Sequence, residues 1–566
     1  MENIKSKLAS AIFSALAGIN PDTGLTSEDI ASYMEYPPDE KMGDIALPCF
    51  RFSKALRRSP VMIAGEFAKA VEAVEGVEAA EAVNGYLNIR MDRKYVYSSV
   101  VSDIEEKGAK YGSPMTGEGK TVVLDYSSPN TAKPFHIGHL GTTVIGHSLK
   151  LLFEFAGYKC VGVNHLGDWG TQFGKMIVAY RRWGDPEKVE NGGCDGLVEL
   201  YVKFHEEAEK DPALDDEARA EFSKLEKGDE ENLRIWQMFL DISLREYKIT
   251  YDQLGIEFDS YRGESFYYDK APDVARELSE KGLLTVDDGA SIVDLEKYNM
   301  PPCLILKKDG STIYPSRDIA AALYRKETYD FDKCIYVTSA GQSLHFAQFF
   351  KVIELMGHTW AKDLVHVPYG TVSINGEKLA TRTGNVVLLK DLFATAVEKA
   401  GAIMKEKNPA LGERKDIAEA VGIGAVVFYY LSANRMHDIN FVLEDALNFD
   451  GNTGPYAQYT YARTCAILQK AGDTEASEIE LCDEEYALVK QLSCFPEAVN
   501  SAIYSYEPSV ITRYILDLCA AFNRFYHACQ VIGADKQYQR VRLVKCTNAV
   551  LDTALGLICV KHPEKI

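Results

Sequence analysis

The 566-residue sequence holds no Cys-x-x-Cys pair, no low-complexity tract, no internal repeat and no apolar run near the ~20 residues of a membrane-spanning helix. The twelve cysteines, Cys49, Cys160, Cys194, Cys303 and onward, are scattered singly. That spacing argues against a disulfide framework and against structural zinc, and it marks most of them as small buried hydrophobes. Residues 1–17 place Ile4, Leu8, Ile12 and Leu16 four apart with Lys5 and Lys7 between them. An amphipathic helix fits that pattern and a signal peptide does not, so a soluble, cytoplasmic chain with no membrane partner is expected. Positive charge is also short: 62 Lys and Arg face 83 Asp and Glu, for a net charge of −21 and a pI near 5.1. That balance weighs against a generic DNA binder and leaves room for one structured nucleic acid held on local basic patches.

What is present is enough for several cores. Length alone suggests three or four domains, and 46% of the residues are hydrophobic. Residues 1–115 read as an N-terminal α+β module. In it Gly85-Tyr86-Leu87-Asn88-Ile89-Arg90 has the alternation of a strand. The basic segment Arg51–Arg58, which includes Arg57, suits nucleic acid or a solvated helix face equally. The turn-rich stretch 111–119 reads as a linker. Residues 116–410 alternate short apolar strands with helices, the signature of a parallel α/β sheet, with strands expected at Val122–Leu124, Cys160–Val163, Cys334–Val337 and Leu364–Pro368. A polar helical stretch, about 176–255, interrupts the alternation as an insertion. From 411 to 566 the pattern is helical almost throughout: Ile417–Leu431, Tyr456–Gln469, Tyr486–Leu492, Val510–Val531 and Gln539–Leu557.

The chemistry concentrates in Ser127-Ser128-Pro129-Asn130-Thr131-Ala132-Lys133-Pro134-Phe135-His136-Ile137-Gly138-His139. It lies between the apolar run Val122–Leu124 and the helical run Leu140–Phe155, so it is a strand–loop–helix connection. Free backbone N–H groups at such a helix start form a natural phosphate seat. His136 and His139 add side-chain donors, and Gly138 lets a ligand approach the backbone. More than 200 residues later, a Gly-flanked loop carries Lys378 and Arg382. Two cations there can close over a polyphosphate and stabilise charge on departing phosphates.

His136-Ile137-Gly138-His139 after a first strand, with a Lys-x-x-x-Arg loop in the second half, resembles the class I aminoacyl-tRNA synthetases. Three longer stretches are similar to the arginyl-tRNA synthetases in particular: residues 127–139, Asn164-His165-Leu166-Gly167-Asp168-Trp169-Gly170-Thr171-Gln172-Phe173-Gly174, and Tyr314-Pro315-Ser316-Arg317-Asp318-Ile319-Ala320. The likeness covers nearly the whole chain. It implies a Rossmann-like catalytic domain with an N-terminal α+β domain that contacts tRNA, and a C-terminal all-α domain that contacts the tRNA stem and anticodon. It further implies an ATP-dependent ligase that makes arginyl-adenylate and transfers arginine to the 2′-hydroxyl of the terminal tRNA adenosine.

By the same resemblance, His136, Gly138 and His139 contact the ATP phosphates, and His366, Tyr369 and Gly370 line the adenine pocket. Asn130, Glu264, Tyr314, Asp318 and Gln342 hold L-arginine. Carboxylates suit its five-donor guanidinium, although each carboxylate taken without the resemblance suits a surface salt bridge better than a ligand site. Lys378-Leu379-Ala380-Thr381-Arg382 departs from the class pattern Lys-Met-Ser-Lys-Ser, and Lys133 occupies the upstream position that compensates for such degeneration in the family. Mg2+ accompanies ATP, tRNA is needed for activation, and a monomer is implied. Tyr459 and Arg463 fit either stacking on anticodon bases or a helical core, and Arg57 either tRNA or solvent. Three rivals stand beside this reading: another class I synthetase, a catalytically altered relative acting as an RNA-binding protein, and a small-molecule adenylyltransferase sharing the His-x-Gly-His loop.

Overall fold

A computed structural model describes residues 2–378, 387–409, 414–472 and 476–566. The four apolar positions at the N-terminus fold as one face of helix α1 (Glu2–Ile19), and all four are buried. After strand β1 (Ile45–Pro48), the Ser59 hydroxyl caps helix α2 (Pro60–Val71) by accepting the Met62 N–H, and α2 packs on α1. Strands β2 (Val77–Val83) and β3 (Tyr86–Met91) complete an antiparallel sheet in the order β1-β3-β2, and helix α3 (Arg93–Lys107) follows. The expected linker is instead a docked segment. Tyr111 is buried with its hydroxyl donating to the Leu492 carbonyl (3.1 Å), and at Gly112 (φ +87°) an added Cβ would stand 2.5 Å from the Phe495 ring.

The central sheet contains β4 (Thr121–Asp125), followed by helix α4 (Leu140–Phe155) and β5 (Lys159–Val163). Four helices come next: α5 (Thr171–Trp183), α6 (Pro186–Ala208), α7 (Ala213–Glu226) and α8 (Glu230–Leu254). They share a core of their own, with Phe173, Ile177, Leu197, Phe204 and Phe239 buried. A small antiparallel sheet, β6 (Leu284–Asp287), β7 (Ala290–Val293) and β8 (Cys303–Leu306), has no counterpart in the sequence reading. Helix α9 (Tyr314–Tyr329), β9 (Lys333–Ser339), helix α10 (Ser343–Leu355) and β10 (Leu364–Tyr369) finish the main sheet.

That sheet is parallel throughout in the order β10-β9-β4-β5, with Leu124 opposite Gly162 on one side and Ile335 on the other. All four expected strands form. Strand order reverses beside β4, so the carboxyl ends of β4 and β9 open a crevice where ligands bind in such sheets.

Strands β11 (Val372–Ile374) and β12 (Glu377–Lys378) lead to residues 379–386, so Arg382 lies outside the described residues. Helices α11 (Leu389–Lys407) and α12 (Lys415–Ser432) precede β13 (Ile439–Phe441), which pairs parallel to β11. One small sheet therefore spans the division expected at 410. The rest is helical: α13 (Gly454–Lys470), α14 (Asp483–Ser493), α15 (Phe495–Ser505), α16 (Ser509–Ala528) and α17 (Gln537–Leu557). Helix α16 stops at Ala528 rather than Val531; Cys529 turns extended while Val531 stays buried, so apolar patterning outlasts the helix.

Candidate active site

The loop after β4 is held in a backbone shape that L-residues avoid. Ser127 (φ +72°), Ser128 (φ +43°) and Ala132 (φ +61°) all lie in the left-handed region, and such strain persists only where neighbours over-determine it. Those neighbours come largely from α8. The Ser243 hydroxyl accepts the Ala132 N–H (2.9 Å), and the Tyr247 hydroxyl donates to the carbonyls of Asn130 (2.9 Å) and Lys133 (2.6 Å). The Tyr251 hydroxyl meets Ser127 Oγ (2.8 Å) and accepts from the Asn164 amide (2.9 Å). The spacing 243/247/251, four residues apart on one helix face, is the sequence signal that could have shown this brace.

At the carboxyl end of β4, Asp125 pairs with Arg325 of α9 (2.8 Å) and accepts from Ser128 Oγ (2.9 Å). Arg325 is 1% exposed, so this is an ion pair inside the protein, directly beneath the strained turn.

The two imidazoles lie against each other with centroids 3.8 Å apart and planes tilted by 37°. His136 Nδ1 accepts the Gly138 N–H (3.1 Å), and His139 Nδ1 accepts the His136 N–H (3.2 Å). Both Nδ1 atoms are therefore unprotonated, which assigns the proton of each neutral ring to Nε2 and leaves an Nε2–H donor on each. Burial, followed by the charge of Lys133, pushes the His136 pKa down; burial and then His136 push His139 down to about 3. At neutral pH the pair acts as dipolar donors and not as cations. Ile137 N–H donates to the Val387 carbonyl (3.1 Å) and Leu389 N–H to Phe135 (2.9 Å), so the chain beyond residues 379–386 re-enters beside this pair.

Burial also lowers His147 to about 3. A histidine whose folded pKa is depressed loses stability as pH falls below its unfolded value near 6.5. His139 and His147 together should cost about 4 kcal/mol between pH 7.5 and 5. Glu264, raised to about 7 by burial, acts oppositely, because the folded state holds its extra proton between the unfolded value near 4.5 and 7. Glu264→Gln should therefore steepen acid destabilisation by about one proton, read from denaturant midpoints against pH.

Next to the loop, Asn164–Asp168 forms a wedge. Gly167 N–H donates to the Pro129 carbonyl (3.1 Å), its own carbonyl accepts the Thr131 N–H (3.1 Å), and Glu264 N–H donates to Leu166 (3.0 Å). A Cβ on Gly167 would stand 2.1 Å from Asn130 Oδ1. The wedge thus separates Asn130 from an acidic pocket where Glu264, Asp318 and Asp168 interact electrostatically. Asp168 accepts from the Ser265 N–H (2.8 Å) and hydroxyl (2.6 Å).

Arg317 Nη1 donates to Glu264 Oε2 (2.5 Å) and its guanidinium lies over the Tyr314 ring, 5.0 Å from the centroid. Asp318 Oδ2 meets His345 Nε2 at 2.6 Å. Three carboxylates against one guanidinium leave the pocket anionic. Tyr314 is 63% exposed at its mouth, and Gln342 is exposed in the turn after β9. Sequence reasoning missed Arg317, His345 and Asp168 as pocket groups, although each lies inside a quoted motif or beside Gln342.

On the far side of the crevice, His366 stacks on Phe346 (4.4 Å, 8°), and its Nε2 meets Thr338 Oγ1 at 2.9 Å. Burial and the nearby Arg435 push its pKa to about 4. Gly370 N–H donates to the Arg435 carbonyl (2.8 Å), and burial pushes the Tyr369 phenol up to about 12. Lys133 is exposed beside His136, and Lys378 stands on β12 opposite Ser373.

The expected RNA contacts lie elsewhere. The Arg463 guanidinium sits between the rings of Tyr459 (5.0 Å) and Tyr526 (5.1 Å), and Tyr459 and Arg463 line a cavity of about 360 Å³ with Lys407 and Ile566. Arg57 is exposed, with φ +50° at a helix end.

Models of three protein families match this chain: the arginyl tRNA synthetase N-terminal domain over residues 2–91, the class I (R) tRNA synthetase catalytic domain over 100–443, and the DALR anticodon binding domain over 457–566. An arginine–tRNA ligase of Alkaliphilus metalliredigens is 46% identical across 100% of both chains. One from Clostridium botulinum is 49% identical over 97% of this chain and 98% of its own. The Thermus thermophilus arginyl-tRNA synthetase structure superposes with a TM-score of 0.84 at 26% identity, covering 99% of each chain. The chain belongs to the arginyl-tRNA synthetase family of class I aminoacyl-tRNA synthetases.

Proposed function

We propose that the two-histidine loop and the acidic pocket beside it are the two halves of an arginine–tRNA ligase site. The chain is an ATP-dependent ligase that joins arginine to tRNA. In the first step the arginine carboxylate attacks the α-phosphate of ATP, expelling pyrophosphate. In the second, the 2′-hydroxyl of the terminal tRNA adenosine takes the arginyl group and releases AMP. Neither step uses a covalent enzyme intermediate, so positioning and charge stabilisation do the work.

The observation that carries this reading is the pair of Nε2–H donors at His136 and His139, fixed by backbone N–H groups at their Nδ1 atoms. Their donors suit phosphate oxygens, and Gly138 leaves the backbone accessible. Mg2+ enters with the nucleotide: among the described residues, no group of three His, Cys or carboxylate ligands forms beside this pair. His366, Tyr369 and Gly370 line the adenine side.

The anionic pocket suits a guanidinium. Arg317 holds Glu264 Oε2 and His345 meets Asp318 Oδ2, so Asp318 offers its other oxygen to the substrate's charge, Tyr314 and Gln342 close the mouth, and Glu264 shapes the pocket through Arg317. Asn130 holds the α-amino end across the Gly167 wedge. Lys133, Lys378 and Arg382 stabilise charge on the phosphates. Tyr459, Arg463 and Arg57 are offered to tRNA, and the chain works as a cytoplasmic monomer.

Arginine-dependent ATP–pyrophosphate exchange tests the reading. Exchange is expected with arginine when tRNA is present and little without it; exchange driven by another amino acid would overturn it. Gly167→Ala gives a sharper check. The added methyl displaces Asn130 Oδ1, so kcat/KM for arginine should fall roughly 10- to 100-fold. The loss should lie in KM for arginine, with the melting temperature near that of the parent.

A further inference from the structure

Cys482 and Cys529 stand 47 residues apart in the chain, yet their sulfurs are 3.4 Å from one another. A carboxylate oxygen of Glu484 joins them, all three atoms lying within 4.8 Å of one another. We propose that Cys482, Cys529 and Glu484 bind a thiophilic divalent cation of the Zn2+ class, with water as the fourth ligand.

Chemistry and surroundings both fit. Zinc takes two thiolates and one carboxylate readily, at about 2.3 Å from each sulfur. A tetrahedral ion at that distance sets its sulfurs about 3.8 Å apart, so the two side chains need part by only a few tenths of an ångström. Cys482 is the N-cap of α14, and its sulfur accepts the Glu485 N–H. The helix N-terminus and the N–H···S bond favour the thiolate, while burial outweighs them and pushes the metal-free thiol up to about 12, so the ion itself must displace the proton.

Arg540 supplies the outer support. Its Nε donates to Glu485 (2.8 Å), the residue after Glu484, and its Nη1 to the Gln530 carbonyl (2.8 Å), the residue after Cys529. One guanidinium thus braces both ligand-bearing segments, as outer partners of metal sites do. Two thiolates, a carboxylate and a divalent cation sum to one negative charge, set beside the Arg540–Glu485 ion pair. Binding releases two thiol protons to solvent with no change in oxidation state.

The expected absence of structural zinc rested on the lack of a Cys-x-x-Cys pair. Here the ligands come from the start of α14 and the end of α16, which local spacing cannot reveal. The ion would clip these two ends together where Asp483 also holds Arg93 of α3 (2.7 Å).

The full chain, stripped with chelator and kept reduced by a phosphine, should be titrated with Co2+ and then Zn2+. One Co2+ per chain with thiolate-to-metal charge-transfer absorption is expected. One Zn2+ should displace it and raise the melting temperature. The double variant Cys482→Ser/Cys529→Ser should lose the absorption and the thermal shift. Glu484→Gln should keep the absorption with affinity about tenfold or more weaker. No charge-transfer absorption in the parent, or the same absorption in the double variant, would overturn the proposal. So would recovery of the pair as a disulfide after the phosphine is removed and the protein stands in air with saturating Zn2+.

Discussion

Arg325→Met should destabilise the fold by about 3–5 kcal/mol, because it leaves the Asp125 carboxylate buried without its counter-ion. Asp125 and Arg325 are both buried, and the contact between them is 2.8 Å. Removing both charges together is a different matter. Asp125→Leu/Arg325→Met should recover most of the lost stability, since an apolar pair often replaces a buried ion pair without penalty. Activity should not return with it. Asp125 also accepts from Ser128 Oγ, and Ser128 sits at φ +43° in the strained turn that leads to Asn130. Denaturant midpoints and exchange rates for the two variants therefore separate: stability restored in the double variant, catalysis still depressed. Equal recovery of both would show that the ion pair serves the core alone.

Lys133→Ala should depress adenylate formation by roughly 10²–10³-fold, the loss typical of one well-placed charge stabiliser, and Lys378→Ala by less. Lys133 is pinned at its backbone: its carbonyl accepts from Tyr247 (2.6 Å), and the preceding N–H donates to Ser243 (2.9 Å). Its charge reaches both imidazoles, where it disfavours their protonated forms. The later motif lacks the second lysine of the class pattern. Pyrophosphate-exchange rates decide between the two cations, and a near-normal Lys133→Ala enzyme would show that the later loop carries the charge.

Much of the fold was legible because its signals are local. The four parallel strands are short apolar runs, and α1 displays its buried face every fourth residue. The two-histidine loop announces itself by strand–loop–helix order. What stayed hidden is long-range. Tyr247 and Tyr251 lie more than 110 residues beyond the loop they brace, inside a helix whose charged neighbours read as solvated surface. The partner of Glu264 stayed hidden because nothing in its own segment foretells Arg317, 53 residues on. Tyr111 was placed in a linker because glycine and turn formers surround it, whereas its ring is buried beside Phe495. The small β6–β8 sheet escaped because its strands are short and half exposed, so neither alternation nor an apolar run marks them.

The central claim is that one loop serves both substrates of the first step, Asn130 at the amino acid and His139 at the nucleotide. Exchange kinetics measured against arginine and ATP separately, with tRNA present, test it directly on Asn130→Ala and His139→Ala. The account predicts that Asn130→Ala raises KM for arginine and spares KM for ATP. It predicts that His139→Ala lowers kcat or weakens ATP and spares arginine. The same defect toward both substrates in the two variants, or the reverse assignment, would contradict it.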